Sequence, residues 1–457
     1  MPTIDSKYLN IFKFMFALLP VGLITGPFIP DFIIVISVIF FLTNIKKFKE
    51  FNKILLSNKI IFYLFLFNIY LFINLAITQS YNYNYTTTLF YFRFFVFVIF
   101  FYYLLKYTDL KKIFFYILSF SILFVLTDTF IQYFSGEDLF GYKALCVRDC
   151  DNSNFQMLRL TGPFDGKAIV GSYLVRLMPL FVGLYFLNFI KKINFYFISL
   201  MILLITTIVF LSGERSSFFF LILSVNLMIL LLDLKKNLRI KLFLIFISYI
   251  VLISVIFSEA RFRMYNFTLM QMGFENKFLK KEDLKKFNFI LKTLKDEEAK
   301  DNKTKDNKTK DNKLLFFSYH HNSHYIVAIN MFKDNFLFGG GVKSFRYLCH
   351  KYSTDLKFGC TTHPHNIPLQ FLSEIGLFGF LFYMIIIFFL LKVFFIQFLK
   401  LFLLKNSNKT IKNSMICFYI CVFINIFPFA PSGNFFNNWL SIFFYLPLPF
   451  ILDDFKK

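Results

Sequence analysis

Apolar residues along the chain gather in runs of about 20, and short charged links separate these runs. A run of roughly 20 apolar residues is the length that an α-helix needs to cross a hydrocarbon core of about 30 Å. A helix also satisfies its own backbone hydrogen bonds, which lipid cannot do. The pattern therefore predicts an all-α polytopic membrane protein with about twelve transmembrane helices. They cover residues 10–28, 30–44, 59–78, 86–105, 112–134, 167–190, 194–211, 214–233, 240–258, 368–392, 413–430 and 436–452.

The charges of the links predict how the chain is oriented. Lysine-rich links follow every second predicted span, whereas the links 79–85 and 430–435 carry no charged residue. Lys and Arg concentrate in the cytoplasmic links of membrane proteins. We therefore expect a multi-pass protein of the bacterial inner membrane with both termini in the cytoplasm. The first apolar run lacks a small-residue cleavage site, so we expect a spanning helix there and not a cleaved signal.

Three regions follow from this topology. Residues 1–258 hold the first nine predicted helices and include a short periplasmic loop near 135–166. Residues 259–367 form one long periplasmic loop, and residues 368–457 hold the last three helices. Within the long loop, residues 295–313 are a charged insert of low complexity that has almost no apolar residue. Such a segment cannot bury a core, and we assign it no chemistry.

The composition agrees with a membrane protein, since 57% of the residues are hydrophobic and the mean hydropathy is +0.61. The formal net charge of +23 could indicate a nucleic-acid partner. Most of the excess, however, lies in short links on one side of the predicted bilayer, where Lys and Arg set topology. We therefore expect no nucleic-acid partner.

Cysteine and histidine positions bear on disulfides and metals. An oxidising periplasm permits disulfides, and Cys349 with Cys360 is one candidate pair, while Cys146 with Cys150 is another. No Cys and His spacing resembles a zinc site. The histidines within 320–324 have no acidic or cysteine partner at ligand spacing. We therefore expect neither a metal nor another cofactor.

The link 211–217 is unusual for a tight turn between two apolar helices, because it contains Glu214 and Arg215 where small residues would suffice. The Arg215 side chain has two readings. It either anchors the helix among lipid head groups by snorkelling, or it binds a diphosphate through its planar fork of donors. Arg159 lies on the same predicted side, just before a Gly-Pro turn, and is open to the same two readings.

The segment His363-Pro364-His365-Asn366 leads directly into a predicted span, and Glu374 follows two turns inside it. Asn366 is a good helix cap, and the N-terminus of a helix attracts anions. The segment therefore places His365 beside an anion site, and the ordinary pKa of histidine suits proton transfer near neutrality. The alternative is a structural histidine satisfied by the backbone. Glu374 is either functional or paired with a neighbouring helix.

Together these elements resemble the O-antigen ligase and polymerase superfamily of bacterial membrane glycosyltransferases. The resemblance extends over most of the chain, and its last stretch is the most specific. It is carried by Gly162-Pro163-Phe164, the Arg215 turn, Phe338-Gly339-Gly340-Gly341 with Phe345, and His363-Pro364-His365-Asn366 followed by Leu369, Leu372, Glu374, Gly376 and Gly379.

The resemblance implies a metal-independent transfer at the periplasmic face. A glycan on undecaprenyl diphosphate would pass to an acceptor hydroxyl, which in ligases belongs to the lipid A-core. By position, Arg215 would hold the diphosphate and His365 would be the base. The family usually has a second arginine shortly before the Gly turn, whereas this chain offers His324 there, with Arg261 and Arg263 as alternatives.

Two other functions compete with a ligase. A polymerase of the same superfamily would use another lipid-linked repeat unit as acceptor, and the sequence does not separate the two. A lipid or solute transporter would be expected to show internal repeats and ionisable residues near the bilayer midplane. The chain shows no such repeat, and its notable polar residues gather at one predicted surface.

Overall fold

The computed structural model describes residues 5–47, 58–78, 81–148, 157–187, 195–271, 319–353, 358–403 and 410–454. The charged insert 295–313 lies outside these residues. Within the described part, six helices are long and apolar enough to cross a membrane, and five more apolar helices are shorter. The helical membrane architecture is thereby confirmed, while the number of twelve spans stays a prediction.

In the described residues, the N-terminal part of the bundle has seven α-helices, and two of the predicted spans are broken. Pro20 starts a separate second helix within the first predicted span, and Gly26, whose φ is +108°, follows the end of that helix. The span predicted at 86–105 likewise begins as a separate short helix. The helices are α1 (Ser6–Ala17), α2 (Leu19–Ile24), α3 (Phe28–Thr43), α4 (Lys59–Ile77), α5 (Tyr81–Leu89), α6 (Phe92–Tyr107) and α7 (Leu110–Ser135).

A two-stranded antiparallel hairpin follows α7, which the apolar pattern does not predict. It consists of β1 (Leu145–Arg148) and β2 (Met157–Arg159). Gln132, near the end of α7, holds the chain after β2. Its Oε1 accepts hydrogen bonds from the backbone N–H groups of Thr161 (2.8 Å) and Gly162 (2.9 Å). The chain at Thr161 and Gly162 is therefore fixed to the end of α7.

The helices in the middle of the chain differ in how deeply they are buried. The central helix, from Val170 to Phe186, is buried over most of its length, whereas Val255 in the last long helix of this part is 67% exposed. The peripheral helix therefore presents its apolar side chains to lipid. The elements are α8 (Val170–Phe186), α9 (Phe195–Leu211), α10 (Arg215–Leu231), α11 (Lys236–Ile256), α12 (Ser258–Arg261), a π-helical turn (Phe262–Asn266) and α13 (Phe267–Gln271).

The C-terminal part combines two external helices with the remaining bundle helices. The longest helix of this part continues well beyond its predicted end at residue 392. The elements are α14 (Tyr319–Asp334), α15 (Phe345–Tyr352), α16 (Ile367–Phe402), α17 (Asn413–Asn425), α18 (Asn438–Tyr445) and α19 (Leu448–Asp454).

A kink at Gly376 lets the external segment bind to α16. The φ of Gly376 is +65°, and a Cβ there would lie 2.3 Å from the carbonyl oxygen of Leu337, so only glycine fits. The freed backbone pairs with the segment before the glycine turn. Leu377 N–H donates to Phe336 O (2.9 Å), and Gly340 N–H donates to Ser373 O (2.9 Å). The glycine turn is thus fixed to the start of α16.

The bundle has one extended apolar core, and the external helices α14 and α15 share a small core of their own around Met331 and Phe345. Cys349 of α15 forms a disulfide with Cys360, and their Cα atoms are 5.2 Å apart. This bond ties α15 to the chain just before the histidine segment. Cys146 is also disulfide-bonded, and its predicted partner Cys150 lies outside the described residues.

Candidate functional site

A cavity of about 680 Å³ opens at one end of the bundle. Val175, Arg176, Phe220, His321, Arg346 and Ile424 line it in part, and most of its walls come from five parts of the chain, namely 24–27, 164–172, 214–217, 362–365 and 431–440. Each of these lies at a helix end or link for which the sequence predicts the external side. Of the predicted site residues, Glu214, His363 and His365 line this cavity.

The His363–Asn366 segment forms part of the cavity wall and is held by the link between α17 and α18. His363 Nε2 donates to Ser432 O (3.1 Å), which as a carbonyl can only accept, and His363 Nδ1 accepts from the Thr362 hydroxyl (2.9 Å). The Ser432 N–H donates to the carbonyl of His365 (2.9 Å). His363 is therefore a structural histidine that positions His365.

The backbone around His365 departs from regular structure. The φ of His365 is +56°, in the left-handed region that non-glycine residues seldom adopt. Immediately after it, Asn366 caps α16 by accepting a hydrogen bond from Leu369 N–H (3.1 Å), and its Nδ2 donates to Pro428 O (2.9 Å). Pro368 occupies the first turn of the helix, as the sequence predicts. Fixed contacts on both sides hold the unusual conformation of His365.

Four imidazole rings meet at this wall, and we call them the histidine cluster. The His365 ring centroid lies 4.0 Å from that of His363, 5.4 Å from His321 and 5.5 Å from His324. Burial lowers the pKa of His365 to about 4, and the charge of His324 acts in the same direction. Burial likewise lowers the pKa of His321 to about 4. These imidazoles are neutral at pH 7, so His365 is in the state that accepts a proton.

Three arginines form a second group, the arginine cluster, which consists of Arg159, Arg215 and Arg263. The pKa of Arg263 is lowered to about 9, chiefly by burial and further by the charges of Arg159 and Arg215, while Glu214 opposes the shift. Arg159 Nε is buried and has no hydrogen-bond partner in the described part of the chain. Like charges held together with unused donors form an arrangement suited to an anion.

Arg263 connects the elements that carry the other two arginines. Its Nε donates to Gly213 O (3.0 Å) and its Nη1 donates to Leu158 O (2.8 Å), the residue before Arg159. Gly213 has a φ of +71°, and a Cβ there would lie 2.6 Å from Arg263 Nε. Arg263 therefore positions the turn and the hairpin. Arg261, in contrast, donates to Ser254 O (3.2 Å) at the end of α11.

Glu214 links the start of α10 to the start of α8. Its carboxylate accepts hydrogen bonds from the N–H groups of Gly171 (2.6 Å) and Ser172 (3.1 Å) and from the hydroxyl of Ser217 (2.9 Å). A carboxylate is stabilised at a helix N-terminus by the exposed N–H groups and the helix dipole. Burial nevertheless raises the pKa of Glu214 to about 6. Glu214 is therefore a helix cap that also lines the cavity.

His321, a member of the histidine cluster, is affected by the charge of Arg215. Burial is the main cause of its lowered pKa, and the charges of His365, His324 and Arg215 add to it. The residues on either side of Arg215 line the cavity together with His365. The Arg215 side chain itself lies over the Phe267 ring, with Cζ 5.2 Å from the ring centroid. The Arg215 turn and the His363–Asn366 segment thus lie at the same cavity, and the residues that line it do not include Arg159, Arg215 or Arg263.

The segment 200–384 matches the family model described as O-antigen ligase. It contains both the Arg215 turn and the His363–Asn366 segment. The match covers 185 of the 457 residues, and over this segment the chain is similar to the O-antigen ligase family. The resemblance seen in the sequence is thereby confirmed, and the family implies a glycosyltransferase-like membrane enzyme that acts on lipid-linked glycans. No curated protein matches the chain.

Two further arginines, to which the sequence patterns assign no role, line the cavity. Arg346 lies on α15, just after the glycine turn. Arg176 is buried in α8, where its Nε donates to the Ser172 hydroxyl (3.1 Å) and its Nη1 donates to Asn425 Oδ1. Arg176 lies within the span predicted at 167–190. The cost of an intramembrane charge is the signal that would have found it.

Glu374 and His324, the remaining predicted residues, form hydrogen bonds to parts of the chain around the site. Glu374 is buried in α16 and accepts hydrogen bonds from Lys343 N–H (3.0 Å) and Gln370 Nε2 (2.9 Å). It therefore braces the glycine turn against the helix. His324 Nδ1 donates to Gly359 O (3.3 Å), next to Cys360. Both residues support the segment that carries His365.

Proposed function

We propose that this protein transfers a glycan from undecaprenyl diphosphate to a hydroxyl of the lipid A-core at the periplasmic face of the inner membrane. The observation that carries the proposal is that the neutral His365 lines a cavity of about 680 Å³ together with Glu214 and Ser216, the residues on either side of Arg215. The arginine cluster is suited to a diphosphate, and His365 is suited to the acceptor hydroxyl.

The arginine cluster would stabilise the leaving group. Undecaprenyl diphosphate departs when the bond between its terminal phosphate oxygen and the anomeric carbon breaks, and negative charge develops on that oxygen. Fixed guanidinium groups neutralise such charge without reorganising during the reaction. We assign the diphosphate contacts to Arg215 and to Arg159, whose Nε is unused. Arg263 spends two donors on backbone carbonyls and positions the other two.

His365 would act as the general base. Its neutral imidazole takes the proton of the acceptor hydroxyl while the hydroxyl oxygen forms the new bond to the anomeric carbon. Attack opposite the departing diphosphate inverts that carbon. A positioned base contributes about 10²–10⁴-fold to the rate. His363, bonded to Thr362 and to Ser432, keeps the segment in place.

Replacing His365 with Ala tests the assignment. The purified variant in proteoliposomes should transfer glycan to core lipid about 10²–10⁴-fold more slowly than the wild type. His350→Ala is a matched control, because His350 is exposed on α15 and is not among the cavity-lining residues. Transfer by His365→Ala near the wild-type rate would remove His365 as the base.

The acceptor is tested in cells, since the O-antigen ligase superfamily also contains polymerases. Loss of a ligase leaves lipopolysaccharide that ends at the bare core. Loss of a polymerase leaves core that carries a single repeat unit. We expect the bare core when the gene is deleted, and core with one repeat would assign the protein to the polymerases instead.

A further inference from the structure

The link between α17 and α18 contributes Ser432, Gly433 and Asn434 to the cavity wall. The amide of Asn434 has a fixed orientation. Its Oδ1 accepts hydrogen bonds from Phe436 N–H (2.9 Å) and Gln370 Nε2 (2.8 Å). A backbone N–H can only donate, so the atom facing Phe436 must be the oxygen. The Nδ2 group and its two hydrogens therefore point away from this pair.

The neighbouring amide is fixed in the same way. Gln370 Oε1 accepts from Phe435 N–H (3.0 Å), which leaves its Nε2 to donate to Asn434 and to Glu374. Neither amide can flip without setting an N–H group against a backbone N–H. The network therefore holds Asn434 Nδ2 as a donor that this part of the protein does not use.

Two polar atoms of this wall lack partners. Asn434 Nδ2 and Ser432 Oγ are buried and have no hydrogen-bond partner among the described residues, and the two side chains are 6% and 9% exposed. Roughly 90% or more of buried polar groups in proteins are hydrogen-bonded. The two residues are separated by one position in the same cavity wall. Their unused groups therefore indicate a ligand that supplies the missing hydrogen-bond partners.

Trp439 lines the cavity close to these two residues. Its Nε1 donates to Leu23 O (3.0 Å), which fixes the indole ring. A neutral amide donor, a hydroxyl and a rigid aromatic ring suit a sugar, because a sugar offers hydroxyl and amide oxygens together with apolar C–H faces. A diphosphate would instead need the positive charge of the arginine cluster.

We propose that Ser432, Asn434 and Trp439 form the binding subsite for the first sugar of the donor glycan. The inference rests on the proposed function. Asn434 Nδ2 donates to a hydroxyl or acetamido oxygen of that sugar, the Ser432 hydroxyl bonds to a second oxygen, and Trp439 packs against a C–H face. Because Ser432 N–H also binds the His365 carbonyl, the subsite lies next to the proposed base.

Binding measured by fluorescence tests this subsite directly, because Trp439 is the single tryptophan of the chain. The probes are undecaprenyl diphosphate and undecaprenyl diphosphate carrying one N-acetylhexosamine. We expect the wild type to bind the glycosylated probe more tightly, with a change in Trp439 emission that the bare lipid does not produce. Calorimetric titration of the same samples gives the affinities independently.

Two variants remove the unused groups. Ser432→Ala deletes a hydroxyl without a protein partner, so it should leave folding unchanged, and Asn434→Asp keeps Oδ1 while it removes the Nδ2 donor. Each should weaken binding of the glycosylated probe by up to about tenfold, as expected for one hydrogen bond. Binding of the bare lipid diphosphate should stay at the wild-type affinity for Ser432→Ala.

The outcomes separate this inference from the proposed function. If the wild type binds both probes with equal affinity, or if Ser432→Ala weakens neither probe or both equally, the sugar subsite is wrong while diphosphate binding stands. If the wild type binds neither probe, the proposed function fails and the subsite fails with it.

Discussion

The arginine cluster and the histidine cluster are both groups of buried basic side chains that lie close together. They nevertheless differ in charge at pH 7. Burial and like charges lower the pKa of Arg263 to about 9, which leaves it protonated at pH 7. Burial lowers the pKa of His365 to about 4, which leaves it neutral. The same physical effect therefore leaves one cluster charged, as binding an anion requires, and the other neutral, as accepting a proton requires.

The two clusters also differ in how the fold supports them. The arginine cluster depends on Arg263, which ties the Gly213 turn to the residue before Arg159. The histidine cluster depends on the link at Ser432, which binds His363 and the backbone of His365. Substitutions of Arg263 should therefore affect the binding of the donor. Substitutions in the link at Ser432 should affect the transfer step.

A large effect that sharpens this comparison is expected at Arg215. Arg215→Ala should lower kcat/KM for transfer by about 10²–10³-fold, the range for losing one electrostatic contact to a developing charge. Arg261→Ala is the matched control, because Arg261 bonds to Ser254 outside the arginine cluster and its loss should change the rate little. Equal losses in both variants would show that the effect is not specific to the cluster.

The pH dependence of transfer should follow the lowered pKa of His365. A base must be deprotonated, so the rate should stay level from pH 8 to about pH 5 and then fall about tenfold for each further unit below pH 4. The measurement is the initial rate in proteoliposomes across this range. A midpoint near 6.5, the ordinary histidine value, would contradict a buried neutral base.

The same histidines should make stability depend on pH. Between about pH 6.5 and pH 4 the unfolded chain binds protons that the folded His321 and His365 do not bind. Stability therefore falls as the pH drops through this window and is regained as it rises. Thermal unfolding in detergent should show a lower Tm at pH 5 than at pH 7, and a smaller difference in His321→Ala.

A smaller effect is expected at the turn that supports the arginine cluster. Gly213→Ala should destabilise the protein by about 1–3 kcal/mol, because alanine is strained at a φ of +71° and its Cβ would overlap Arg263. Gly141→Ala is the control, since Gly141 has a φ of +83° but no atom within 4 Å of the added Cβ. The gap in unfolding free energy between the variants should measure the overlap, and no gap would contradict it.

The sequence predicts the parts of this molecule that depend on local pattern. The long apolar runs predict helices, and Asn366 followed by Pro368 predicts where α16 begins. The Arg215 turn and the His365 segment are also visible, because charged and imidazole side chains beside apolar helices need an explanation. Each of these features can be recognised from residues that lie within a few positions of it in the sequence.

Other features depend on distant parts of the chain and leave no local signal. The kink at Gly376 exists because the Phe336 and Leu337 carbonyls bind the freed backbone. Arg263 looks like a second phosphate ligand in the sequence, and its bonds to Gly213 and Leu158 become visible only in the fold. The unused donor of Asn434 likewise follows from its contacts with Phe436 and Gln370.

Donor binding and transfer measured side by side in His365→Ala and Arg215→Ala test the central claim most directly. The account predicts that His365→Ala binds undecaprenyl diphosphate as tightly as the wild type but transfers glycan about 10²–10⁴-fold more slowly. Arg215→Ala should bind the lipid diphosphate more weakly. The account assigns donor binding to the arginine cluster and proton transfer to the histidine cluster. If His365→Ala transfers glycan near the wild-type rate, or loses donor binding as Arg215→Ala does, this assignment is contradicted.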